Sequence, residues 1–416
     1  MTSTARETTV DASYDLITVG GGLAGAALAK VLAEGGHSVL VIERETAFKD
    51  RVRGEQMHPW GVAEARKLGL HKLLLDTCGN EVRYWSTQIV GFGDLRRRDL
   101  VETTEHRAGS LNFCHPEMQE VVLMAAERAG AEVLRGARVM ALLPDTQPAV
   151  RVRLNGGGER VYRARLLAGT DGRTSMCRSW RDFRVQRDPD GMVIAGLLVE
   201  GIAAPEDTMS TYIAPRLGMI SLTVPLGRRR FRLYVGRHKP HGGGPDRPLT
   251  GKNSVDDFAA ASVAAGAPKA WYAGDFRAIG PLASFEAADS WVDHPHSAGV
   301  VLVGDAAASN DPCFGSGLSL TLRDVRVLSE RLLGSDDWSS AADAYADEHD
   351  RHYGTVHRLT SWARRMNYDT RPEAIEMRER ALPRLLADRT RALDIQGLGP
   401  DFPADEDHRR RYFSED

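Results

Sequence analysis

The chain has 416 residues, with 54 Lys or Arg against 57 Asp or Glu, a formal net charge of −3, and 42% apolar residues. That length accommodates two substantial domains, the interleaved charges give no basis for holding nucleic acid or an anionic membrane, and no apolar run is long enough to cross a bilayer. The first 13 residues are polar and lack an apolar signal core, so they read as a loose arm on a cytoplasmic protein. The four cysteines are scattered without a Cys-x-x-Cys pair, which suggests reduced thiols and no metal centre.

The first predicted element is a strand over residues 16–19, leading into Gly20-x-Gly22-x-x-Gly25. A helix with apolar residues at helical spacing follows, then a second strand over 39–42 that ends in Glu43. A glycine turn alone is equally an ordinary loop, but strand, turn, helix, strand and acid together specify a dinucleotide-binding βαβ unit. Gly20 permits the tight turn, Gly22 admits a pyrophosphate, and Gly25 lets the helix pack closely, so Leu23 and Ala24 carry the free N–H groups of a helix start toward phosphate. Glu43 is placed to accept from an adenosine ribose, which favours FAD or NAD.

Next comes a polar loop, residues 44–60, in which Arg44, Arg51 and Arg53 are candidates for phosphate or ribityl contact, the alternative being solvated charge. The pattern predicts a helix over 61–68, a strand over 82–92, a helix over 115–130 and a strand over 131–143. A hairpin is expected between 150–154 and 160–165, closed by a glycine-rich turn, before a buried strand that runs into Asp171-Gly172. From 185 to 285 several alternating strands carry aromatics, the pattern of an antiparallel sheet. An apolar strand then ends in Gly304-Asp305, followed by a loop with Pro312, Gly315 and Gly317 and a helix over 318–333. Asp305 is either a helix cap or a ligand-binding acid at a strand's carboxyl end; two such acids, Asp171 and Asp305, favour the second reading. Helices are predicted over 338–365 and 372–382, with Pro383 as a stop or kink, and a loose charged tail over 401–416.

The glycine turn, the Asp171-Gly172 bend and the Gly304-Asp305 strand end, in that order, resemble the single-component flavin monooxygenases typified by p-hydroxybenzoate hydroxylase. The resemblance implies an α/β fold: a Rossmann-like FAD-binding domain (14–80, 110–184 and 286–335), an inserted antiparallel substrate domain (81–109 and 185–285) and a C-terminal helical region (336–416). It implies that the glycine turn, with Glu43, Arg44 and Arg53, holds the FAD diphosphate end, and that Asp305 meets the ribityl chain. Pro312, Gly315, Gly317 and Leu318 would lie along the isoalloxazine, and Asp171 and Gly172 would serve both FAD and nicotinamide. His115 stands where the family often has Arg, and Val139 is a further expected FAD contact.

The implied reaction is hydroxylation of an aromatic or polyketide-like molecule in secondary metabolism, with NADPH or NADH reducing FAD and O2 giving a flavin C4a-hydroperoxide. No second glycine turn is visible, in keeping with transient nicotinamide binding. Trp85, Tyr212, Tyr234 and Pro312 are candidate substrate-pocket residues, with Trp271 and Tyr272 as further aromatics, and His58 is the candidate for orienting or deprotonating a phenol. The expected assembly is a monomer or homodimer. The alternatives are a flavin-dependent halogenase, whose Trp-x-Trp-x-Ile-Pro signature is missing, and a geranylgeranyl reductase-like enzyme.

Overall fold

The computed structural model describes residues 10–143, 147–239, 254–274 and 276–416, with the side chains of residues 94–96 outside that description. The opening unit is β1 (Ala12–Val19), α1 (Leu23–Glu34) and β2 (Val39–Glu43). β1 is the middle of a sheet: it runs parallel to β2 on one side and to the Glu159–Gly169 strand on the other, with Val19 level with Ile42 and Gly169. Glu132–Arg135 and Val300–Leu302 extend the parallel order on the two flanks. Five carboxyl ends therefore meet at one edge, and four of them carry residues of the predicted motifs: Gly20, Glu43, Asp171 and Gly304. In open α/β sheets this is the edge where ligands bind. The small residues Ala26, Ala27 and Ala29 of α1 are fully buried, which brings the helix close to the sheet.

Glu159–Gly169 is one continuous strand, where a hairpin arm and a separate strand were expected. Its first half pairs antiparallel with Ala149–Arg153 at the sheet margin and leaves Glu159 and Arg160 exposed; its last four residues are all buried. The change from alternating to uniformly apolar sequence therefore marks a change in burial within one strand.

A second eight-stranded sheet is mostly antiparallel and runs in the order Arg277–Ala278, Gly191–Glu200, Arg230–Lys239, Met219–Gly227, Thr208–Ala214, Tyr84–Ile89 and Gly93–Asp99, with Ala283–Ala287 also on Gly191–Glu200. The single strand expected over 82–92 is split at Arg83. Gly79–Val82 joins Ser110–Phe113 in a small sheet, and Tyr84–Ile89 crosses into the large one. Helices Gly317–Leu333, Trp338–Asn367 and Pro372–Ala387 complete the chain's long elements.

Three end-of-chain expectations are corrected. Residues 1–9 of the predicted arm lie outside the described residues, but Ala12 and Ser13 are strand, and the Asp11 N–H donates to the Val161 carbonyl at 2.8 Å. Pro383 does not stop its helix, which runs on to Ala387: it stands on the exposed face, as does Glu379 one turn earlier, whose carbonyl its ring leaves without a donor. The tail is ordered as Glu406–Phe413, because Tyr412 and Phe413 are buried and Asp405 caps the helix at the His408 N–H. Among the described residues no helix is long and apolar enough to cross a membrane.

Candidate active site

A cavity of about 420 Å3 lies where the parallel sheet's carboxyl edge meets one face of the antiparallel sheet. Of the residues singled out in the sequence, its wall contains Gly20, Gly22, Leu23, Ala24, Glu43, Arg44, Arg53, His115, Val139, Asp171, Gly172, Asp305, Pro312, Gly315, Gly317, Leu318 and Tyr234. Gly25 and Gly304 stand behind the wall. A Cβ on Gly25 would fall 2.0 Å from the Gly20 carbonyl and 2.6 Å from Thr170 Oγ1. Gly304 turns the chain at φ +63°, and its N–H donates to Asp324 Oδ2 at 3.0 Å.

The diphosphate end is built from backbone. α1 begins at Gly22 with no side chain capping it, so its first N–H groups face the cavity. Glu43 is already engaged: its carboxylate accepts from the Gly21 N–H at 2.7 Å and the Glu45 N–H at 2.8 Å. It braces the glycine turn and keeps a further lone pair on each oxygen for a ligand hydroxyl. Asp171 uses Oδ2 for the Met176 and Cys177 N–H groups, while its Oδ1 is buried and has no partner. Lys49, Arg51, Arg138 and Arg173 also line the cavity, so its wall carries excess positive charge suited to phosphates. Burial raises the Asp305 carboxyl above the usual range, with Arg173 and Arg53 pulling it back down. An uncapped helix start, an orphaned buried acceptor and a basic wall fit a dinucleotide cofactor.

The loop after Asp305 is fixed from beneath. Asp311 accepts from the Cys313 N–H at 3.0 Å, and Arg364 reaches Asp311, Asp289 and Asp188 at 3.3, 2.5 and 3.0 Å. His58 belongs to this scaffold and does not open on the cavity, contrary to its expected role. Fully buried, its Nε2 bonds the Phe314 carbonyl at 2.7 Å and its Nδ1 bonds Gln56 Nε2 at 3.0 Å, so the ring is the neutral Nε2–H tautomer. Burial pushes its pKa down to about 4.

The aromatic candidates divide by strand parity. Tyr234 faces the cavity; Tyr212 is paired with Ser221 in the neighbouring strand, one residue out of phase with the Leu222–Tyr234 pair, and so points to the sheet's other face, edge-on to Trp271 at 5.7 Å. Trp271 and Tyr272 belong to that far side as well. Trp85 lines a second cavity, of about 340 Å3, between the same sheet face and the C-terminal helices, where Met366, Leu382 and Tyr412 form its roof. The two cavities share Cys313 and one floor: Ile194, Gly236, Ile220, Ile213 and Ile89 lie level across five strands, the first three under the first cavity and the last two under the second.

One functional group went unread in the sequence. Tyr234 Oη donates to Glu55, which lies on the cavity wall and is 2% exposed; Arg232, fully buried, sits 3.1 Å from Glu55 and 2.7 Å from Asp50. Burial raises the Glu55 carboxyl and, with Glu55 beside it, the Tyr234 phenol. The available signal was Arg232, two residues before Tyr234 and so on the same face of its strand, where a guanidinium turned inward demands a buried acid.

Residues 13–352 match the family described as FAD binding domain. The chain belongs to this FAD-dependent aromatic monooxygenase family. Within it, the chain is 27% identical over 366 residues to a menaquinone reductase of Mycobacterium tuberculosis, covering 84% of each. It is 28% identical over 332 residues to a ubiquinone hydroxylase of Rhodospirillum rubrum, covering 78% of this chain and 73% of that one. The p-nitrophenol 4-monooxygenase of Pseudomonas putida superposes with a TM-score of 0.74 at 18% identity, covering 92% and 98% of the two chains.

For this flavoprotein the His58 geometry predicts a pH effect on stability. Its folded-state pKa lies below the unfolded one, so the unfolded chain binds the extra proton, and stability present above about pH 6.5 is lost as pH falls toward 4. The full loss is about 3 kcal/mol. Urea titrations of wild type and His58→Gln at pH 7 and pH 4.5 check it: the variant, which keeps a donor for Phe314, is expected to lose that part of the pH dependence.

Proposed function

We propose that this enzyme uses FAD, reduced by NADPH or NADH, and O2 to hydroxylate an aromatic or polyketide-like small molecule. The observation that carries the reading is the cavity itself, which runs without a break from the glycine cradle to Tyr234 and Glu55 on the apolar sheet face. In this reading Gly20, Gly22, Leu23, Ala24 and Arg44 hold the diphosphate end, Asp171 Oδ1 and Asp305 accept from cofactor hydroxyls, and Pro312 to Leu318 line the ring. Bound flavin supplies O2 activation next to an electron-rich carbon. The chain's own residues do the rest. The isoleucine floor excludes water from the substrate, and a substrate hydroxyl bonded to Tyr234 Oη has a proton path through that phenol to Glu55.

A second reading is reduction of a carbon–carbon double bond on an apolar substrate. It is favoured by the reductase among the relatives and by the second cavity, whose floor continues that of the first. One experiment separates the two. NAD(P)H oxidation and peroxide release are followed in FAD-loaded protein over a panel of phenols, polycyclic aromatics and prenylated quinones, with product masses. Fast oxidation, little peroxide and a gain of one oxygen support hydroxylation. A gain of two hydrogens without O2 consumption replaces it with reduction, and a halide-dependent gain of halogen replaces both.

A further inference from the structure

Two clusters join histidine and carboxylate. One, Asp188, Asp289 and His357, belongs to the scaffold beneath the loop after Asp305, and its cation is already present, because Arg364 contacts both acids. The other, His294, His296 and Asp343, has no guanidinium or ammonium partner among the described residues.

Here the turn after the Ser290–Val292 strand meets the long helix Trp338–Asn367. Asp343, Asp347 and Asp350 recur at helical spacing on the helix, and each contacts the turn. Asp350 accepts the His294 N–H with both oxygens, at 3.1 and 3.0 Å, which fixes that residue in the left-handed region at φ +51°. Asp343 Oδ1 lies 2.6 Å from His296 Nδ1 and 3.2 Å from His294 Nε2, so two ring nitrogens and one carboxylate oxygen converge, all within 4.8 Å of one another. The other nitrogen of His294 faces Asp347 at 3.4 Å.

Two imidazoles and a carboxylate are the ligand set of a three-residue transition-metal site; calcium and magnesium instead take oxygen ligands, in greater number. A carboxylate behind a ligating imidazole is the usual means of fixing its orientation and basicity. His296 is almost wholly buried, whereas the side chains of His294 and Asp343 are 43% and 54% exposed, leaving the solvent side open for water as a fourth ligand. We propose that His294, His296 and Asp343 form a binding site for a divalent transition metal of the zinc type, with Asp347 orienting His294. A metal there ties the His296–Ser297 strand to the long helix. Its partner, Val300–Leu302, is the strand that leads to Gly304 and Asp305.

The test is calorimetric titration of Zn2+ alone into untagged, chelator-treated full-length protein, with Co2+ absorption spectra as a report of coordination. Wild type is expected to bind one equivalent per chain. Asp347→Asn is expected to weaken binding about 10–100-fold. His294→Asn is expected to abolish it while keeping the fold, since asparagine is among the residues that tolerate a left-handed backbone. Circular dichroism and FAD content of the variants identify any that fail to fold. No uptake by wild type, or equal uptake by folded His294→Asn, overturns the proposal.

Discussion

Gly25→Ala is expected to be purified without FAD. The added methyl carbon has nowhere to go: it meets the Gly20 carbonyl at 2.0 Å and Thr170 Oγ1 at 2.6 Å, and that hydroxyl itself donates to the Val19 and Gly20 carbonyls. Relief requires α1 to lift from the glycine turn, which moves the N–H groups that face the diphosphate. A loss of at least about 100-fold in FAD affinity, about 3 kcal/mol, follows, together with destabilisation of about 1–3 kcal/mol from overpacking. Gly36→Ala is the matched control. Unlike Gly25, which is helical, that glycine has a positive φ, +87°, and open space around it, so it is expected to lose about 1–2 kcal/mol of stability and none of its FAD affinity. Fluorescence titration of FAD with both variants measures the difference, and an FAD Kd for Gly25→Ala equal to wild type would show that close helix packing does not set the cradle.

Tyr234→Phe is expected to lower kcat by about 10²–10⁴ while leaving FAD affinity unchanged. The substitution removes one hydroxyl and keeps the ring that packs against the glycine gap at Gly196, where an added Cβ would lie 2.7 Å from Tyr234 Cε1. Glu55 stays paired with Arg232, so folding is preserved. The pH profile gives the sharper signature. Burial holds the Glu55 carboxyl above the usual carboxylate range, and it accepts a proton only when ionised, so the wild-type rate rises with pH through that raised pKa and then levels. In Tyr234→Phe the rise disappears, because the substrate hydroxyl no longer reaches Glu55. A variant that keeps both the wild-type kcat and the rise would place the proton path elsewhere.

The contrast between Tyr234 and Tyr212 shows where sequence reading stopped. Both are aromatic residues in alternating strands of one sheet, and nothing local distinguishes them. The pairing of Leu222 with Tyr234, and of Ser221 with Tyr212, puts one in the cavity and the other on the far face. His58 failed for a related reason. Its neighbours in sequence form a polar loop beside the glycine turn, but its hydrogen-bond partner is Phe314, 256 residues later, and that contact buries it. Charge in the last residues concealed Tyr412 and Phe413; both are buried, and Tyr412 supplies part of the second cavity's roof.

The sequence by itself determined the opening βαβ unit, the order of the three ligand-facing strand ends and the presence of an antiparallel sheet. Each of these rests on local physics: glycine where the backbone must turn or approach closely, a 3.6-residue apolar period in α1, and a period of two in the strands. Tertiary structure alone decided that Glu55 and Tyr234 meet, that His58 serves the loop and not the substrate, and that a second cavity continues the floor of the first. Those facts depend on register between strands and on contacts across 179 to 256 residues of chain, where a shift of one residue turns every side chain to the opposite face.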